Sequence, residues 1–237
     1  MKTSKQVRRN ILAVLLGLGP MYLFVIGSHI LKGGAYTLKE MLLYPLIMGS
    51  AMIVWIVFLY KTMAGKDRGR FNRKPGTLAR DVISGIGLGG VLYLVLLLGR
   101  MTIYRWLPGP PANPTILTLL QGLVRNPWLL ALWLGPVVWI GVAAFEEIQR
   151  VFMLDLLTDV APKKWHKALI LLLSAAMFGL AHLYQGPAGM AGNFIEGLVW
   201  GLYFLGCGRI WPMIISHALF DSVQIISAVI QIRQMGG

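Results

Sequence analysis

Glu146, Glu147 and Arg150 place two adjacent carboxylates and a guanidinium inside an otherwise apolar run from Trp128 to Leu157. Charged side chains at membrane depth are costly; they face a protein interior or a watery cavity and mark a functional site. A glutamate in such a place can act as a general base. Two further stretches bring related chemistry. Phe178-Gly179-Leu180-Ala181-His182 lies in one apolar run and Ser216-His217-Ala218-Leu219-Phe220-Asp221 in another. His217 and Asp221 are four apart and share a helix face; Glu146 and Arg150 have the same spacing and can pair along their helix. Carboxylates and two imidazoles on separate segments are the inventory for an activated water, held directly or through a metal ion. A structural polar network would more naturally use Asn, Gln, Ser or Thr, which carry no charge to desolvate. Glu196 also lies within apolar sequence and reads either as facing a cavity or as standing behind one of the histidines.

The elements that must position these groups are membrane helices. Of 237 residues, 57% are apolar and 13% charged, and the mean hydropathy is +0.68, far above a soluble domain. Runs of roughly 20 apolar residues, long enough to span, are predicted at about 10–31, 40–61, 80–99, 128–158, 166–184, 189–206 and 210–232. The shorter 114–124 segment reads as a re-entrant or interfacial piece making an eighth. The expected fold is therefore all-α, a polytopic membrane helical bundle of about seven to eight transmembrane helices, forming a single integral membrane domain over 1–237.

Lys and Arg number 22 against 9 Asp and Glu, a formal net charge of +13. In a soluble protein that balance would point to nucleic acid. Here the bases sit in short loops between apolar runs, so topology and contact with the lipid bilayer account for them and no nucleic-acid partner is expected. Lys5, Arg8 and Arg9 precede the first span, Lys61, Arg70, Arg73 and Lys74 follow the second, and Lys163, Lys164 and Lys167 follow the fourth. The alternation implies a multi-pass protein of the cell membrane with its N-terminus in the cytoplasm. The basic N-terminal segment resembles a signal-peptide n-region, but the apolar run from Ile11 to Leu31 is too long for an h-region and reads as a retained first helix. Residues 107–114, rich in proline, read as a stiff outer connection. Asp155 and Asp159 read as interfacial. Cys207 is the single cysteine, so no disulfide can form within the chain. Gly85-Ile86-Gly87-Leu88-Gly89-Gly90 matches a dinucleotide fingerprint, but no strand precedes it, and small residues in a span serve close helix packing. Counting about 1.5 Å per residue from the cytoplasmic side puts Glu146 and His182 near mid-membrane and His217 nearer the cytoplasm, so a tilt or a broken helix is needed to join them.

Taken in order, these motifs resemble the CAAX-protease and bacteriocin-processing family of intramembrane peptidases (the CPBP or Abi family), over roughly residues 140–225. Its members carry Glu-Glu-x-x-x-Arg, then Phe-x-x-x-His, then His-x-x-x-Asn or His-x-x-x-Asp, on separate helices. Phe178 to His182 matches the second motif and His217 to Asp221 the third. The first departs, having one residue fewer between Glu146 and Arg150. Either both glutamates are kept and Arg150 comes one residue early, or Arg150 and Phe152-Met153-Leu154 hold their places, with Glu146 as the second family glutamate and Phe145 at the first. The two alignments differ by about 100° of rotation on a helix.

The resemblance implies an intramembrane endopeptidase of the CAAX-protease type. In that reading Glu146 or Glu147 activates a water, and His182 and His217 position it, directly or as ligands of a divalent metal, with zinc the expected ion. Asp221 would support the oxyanion or orient His217, and Arg150 would hold the glutamate pair. The implied substrates are a prenylated CAAX protein, a leader peptide or a segment of another membrane protein. A non-catalytic membrane immunity or regulatory partner derived from the same family is the alternative, favoured by the altered first motif. A transporter or proton relay would draw on the same buried acids and histidines.

Overall fold

The computed structural model describes residues 3–32, 36–63, 68–102, 106–107 and 114–235. Of the expected 107–114 connection, residues 108–113 lie outside the described residues. Eight helices follow one another: α1 (Ser4–Lys32), α2 (Leu38–Thr62), α3 (Leu78–Met101), α4 (Pro114–Arg125), α5 (Pro127–Val160), α6 (Lys164–Ala181), α7 (Gly186–Cys207) and α8 (Trp211–Gln234). Local sequence sets their ends. Thr37 and Glu40 form a reciprocal capping box at the start of α2, Thr77 caps α3, and Asn126 followed by Pro127 opens α5; each gives the first backbone N–H groups an acceptor or removes one. Gly208 closes α7 at φ +66°, the left-handed conformation that a side chain disfavours.

Six helices, α1, α2, α3, α5, α6 and α8, are long and apolar enough to cross a membrane. Of the seven to eight spans expected, six meet that measure: α7 is a 22-residue helix where a span was expected but is not among the six, and α4 contributes only a short apolar helix. Its run of Gly186, Gly189, Gly192, Asn193, Glu196 and Gly197 explains the low apolarity of α7. Among the described residues the sole extended pairing is an isolated bridge between Asn72 and Arg209.

Helix α5 is broken. Its middle section, Trp133–Ala144, is π-helical, and Gly135 within it has φ −90° and ψ −110°. Pro136 follows immediately and lacks the N–H that an α-helix would use there. Beyond the interruption, Phe145–Val160 is regular α-helix and carries the acidic pair. Glycines let α5 approach α2: a Cβ on Gly49 would lie 2.6 Å from Gly141 O, and one on Gly141 would lie 2.7–2.8 Å from the Pro45–Leu46 backbone. Gly85 in the fingerprint-like stretch packs α3 on α8, where a Cβ would meet Ile215 and Pro212 O. The packing reading of that stretch holds.

Asp155 has partners that its sequence position did not announce. It is fully buried and takes hydrogen bonds from Tyr60 of α2 and from Arg70 (3.1 Å) and Arg73 of the α2–α3 connection. The backbone N–H of Arg73 also donates to Gly208 O at 2.7 Å, while Ile210 N donates to Phe71 O at 3.0 Å. The α2–α3 connection therefore ties the α7–α8 turn to the level of Asp155, inside the end of α5. Arg209, in that turn, is held on Asp81 at the start of α3.

Candidate active site

The tie decides where α8 begins. His217 lies two turns into α8 and meets Glu146 and Glu147, which lie two to three turns from Asp155 along α5. A raised turn on one side, together with the break in α5, resolves the depth mismatch expected from counting residues.

Glu147 is fully buried and saturated. Its Oε1 accepts from His217 Nδ1 (2.9 Å) and Arg150 Nη2 (3.3 Å), and its Oε2 accepts from Arg150 Nε (3.0 Å). The expected pairing of Glu146 with Arg150 is corrected: Arg150 pairs with Glu147, three residues away, because a spacing of three also puts two side chains on one face. The guanidinium is further enclosed by rings, 4.2 Å from the Phe178 centroid and 5.4 Å from that of Trp200, a favourable arrangement for a desolvated cation. The would-be Cβ of Gly197 lies 3.0 Å from Arg150 Nη1, so glycine there leaves room for the guanidinium.

Glu146 is placed differently. Its Oε2 is 3.6 Å from His217 Nε2, its side chain is 19% exposed, and that oxygen has no hydrogen-bond partner among the described residues. Asp221 Oδ2 is likewise 3.6 Å from His217 Nε2. His217 is thus flanked by three carboxylates, one on Nδ1 and two on the Nε2 side. Trp200 stacks on its ring, with centroids 4.2 Å apart and planes 19° from parallel, and donates its indole N–H to Ser216 Oγ at 3.1 Å.

His182 stands at the C-terminal end of α6, where the helix passes into a 3₁₀ turn, Leu183–Gln185. Its Nδ1 is 2.9 Å from Phe178 O, which fixes Nδ1 as the donor and leaves Nε2 with its lone pair. Phe178 presents its ring edge-on to both imidazoles, 4.7 Å from His182 and 6.1 Å from His217. α5 and α8 thus bring Glu146, Glu147, Arg150, His217 and Asp221 together, and α6 adds His182 behind the Phe178 ring that faces Arg150 and His217.

Glu196, expected to face a cavity or to stand behind a histidine, lies within electrostatic reach of Asp221, His217 and Glu146. Sequence reasoning missed Trp200, one turn from Glu196 on the same face of α7. Tyr22 of α1 and Tyr184 after α6 also lie within reach of Glu146. The i to i+4 spacing of Glu196 and Trp200 was the available signal; nothing in the sequence brings α1 to the site.

Among the described residues no group of three or more His, Cys, Asp or Glu side chains is disposed to hold a metal ion. His217 has both ring nitrogens turned to carboxylates and His182 has one on a carbonyl. No third His, Cys, Asp or Glu side chain is disposed to complete a site with the expected zinc ligands His182 and His217 among the described residues.

Residues 127–223 match the family model of type II CAAX prenyl endopeptidases, described as Rce1-like. The matched stretch runs from the start of α5 into α8 and includes all six residues above. Neither a curated protein nor a solved structure matches the chain. The family match supports a hydrolase, an intramembrane endopeptidase at the level of the family, and the six apolar helices support a multi-pass membrane protein.

Proposed function

We propose that the protein hydrolyses a peptide bond near the prenylated C-terminus of a membrane-bound substrate, with Glu146 as the base that activates water. The observation that carries this reading is the division between the two glutamates. Glu147 has every oxygen engaged by Arg150 and His217, so it orients His217 and neutralises Arg150. Glu146 keeps a buried oxygen without a partner beside His217 Nε2, as a general base awaiting water requires.

In the proposed reaction Glu146 takes a proton from water as the water oxygen bonds to the scissile carbonyl carbon. His182, its Nδ1–H spent on Phe178 O, accepts the second water hydrogen at Nε2 and orients the nucleophile. His217, in its imidazolium form, donates from Nε2 to the carbonyl oxygen as negative charge develops there. Asp221 aligns that imidazole and balances its charge. Collapse breaks the C–N bond, the electron pair stays on nitrogen, and the proton held by Glu146 passes to the leaving amine. No step uses a metal. The whole chain serves as one membrane domain, with its N-terminus and its basic connections on the cytoplasmic side, as the distribution of Lys and Arg implies.

The test is direct. Purified protein in nanodiscs, given a prenylated CAAX-type peptide, should release the C-terminal fragment, detected by mass spectrometry. Glu146→Gln should slow release by about 10²–10⁴-fold. No release from this peptide, from a leader peptide or from a membrane-protein segment would end the reading.

A further inference from the structure

At the far end of α5 from the site, a cavity of about 250 Å³ opens beside the buried aspartate. Arg70, Arg73, Asp155, Thr158, Asp159 and Lys167 line it, together with Ala161. Three bases against two acids leave it net positive. Asp155 is already taken by Tyr60, Arg70 and Arg73, and Asp159 lies 3.7 Å from Arg70. Donor capacity remains. Arg70 Nε is buried without a hydrogen-bond partner among the described residues, although the Arg70 side chain as a whole is 41% exposed. Burial works against the charge on Arg70, but Asp155 and Tyr60 outweigh it and raise its pKa above the ordinary value. Lys167 is exposed and has no ion pair among the described residues.

The start of α6 stands beside the cavity and lines it through Lys167. Its N-cap, Lys163, makes no side-chain capping bond, and no acidic residue stands in its first turn. An uncapped helix N-terminus carries partial positive charge and free N–H groups, and favours an anion. Lys167 belongs to that first turn, and Ala161 lies just before it. Trp165, 55% exposed at the same helix start, is of the residue type enriched at the membrane–water boundary.

We propose that this cavity binds a phosphate group, held by Arg70, Arg73 and Lys167. Guanidinium forks and a flexible ammonium suit a tetrahedral oxyanion better than a single planar carboxylate. The phosphate can come from an anionic lipid headgroup or from solution. The site is separate from the proposed catalytic groups and independent of any peptidase activity.

The protein is reconstituted in neutral phosphatidylcholine nanodiscs. One arm adds phosphatidylglycerol to the disc, another adds inorganic phosphate, and a third adds chloride at matched ionic strength. A rise in Tm in the first arm alone, with one anionic lipid retained per chain in native mass spectrometry, supports a headgroup site. A rise with inorganic phosphate supports a site for soluble anions. In either case Lys167→Gln, an exposed change that leaves the fold intact, weakens the effect about tenfold, the loss of one charge-assisted contact. Arg70→Lys, which keeps the charge beside Asp155 but removes Nε, weakens it similarly. No rise above the chloride control, or an equal rise in wild type and both variants, overturns the proposal.

Discussion

Trp200 lies flat against His217, with ring centroids 4.2 Å apart, and its indole N–H reaches Ser216, the residue before that histidine. One side chain of α7 thus fixes both the plane of the imidazole and the backbone that carries it. Trp200 is also fully buried. Trp200→Ala should cost about 3–5 kcal/mol and abolish cleavage. Trp200→Phe keeps a ring on the imidazole and loses the bond to Ser216, so it should cost about 0.5–1.5 kcal/mol and retain most activity. Thermal unfolding in a fixed detergent, beside the peptide assay, separates the two.

The two glutamates should fail in opposite ways. Glu146→Gln removes the proposed base from a position where its Oε2 has no hydrogen-bond partner among the described residues, so activity should fall with Tm nearly unchanged. Glu147→Gln leaves Arg150 buried without its carboxylate. Breaking a buried pair from one side costs about 3–5 kcal/mol, so Tm should fall together with activity. Equal Tm loss in the two variants would contradict the division of roles.

The glycine contact between α2 and α5 should be intolerant. A methyl on Gly141 would sit within 2.8 Å of the Pro45–Leu46 backbone, and the helices would have to separate. Gly141→Ala should cost about 1–3 kcal/mol, measured as a lowered Tm. Gly87→Ala is the control, since a Cβ there meets nothing within 4 Å.

Much of the site was legible because its chemistry is unusual for its surroundings. Charged residues inside apolar runs identify themselves, and the spacing from His217 to Asp221 fixes a shared face without tertiary information. The pairing of Arg150 was not legible, since spacings of three and four both reach along a helix and only the packing of α8 selects Glu147. The burial of Asp155 was not legible. The α2–α3 connection folds back over it, and hydropathy carries no record of that. The glycines and polar residues of α7 lower its apolarity while the helix expected there persists. The break in α5 was written as Gly135-Pro136, yet its consequence appears only when α8 is seen against it.

Metal dependence gives a clean experiment. Because no group of three or more His, Cys, Asp or Glu side chains among the described residues is disposed to hold a metal ion, cleavage should survive prolonged treatment with a strong chelator. Elemental analysis of the purified, active protein should find zinc well below one ion per chain. Loss of activity on chelation, restored by added zinc, would overturn this.

Arg73 reaches Asp155 with its side chain and Gly208 with its backbone. The α2–α3 connection therefore sets the position of the His217 imidazole along α5, as a mooring on the quay sets the position of a hull. Lengthening that connection by one residue would displace the imidazole along α5 while leaving each spanning helix intact.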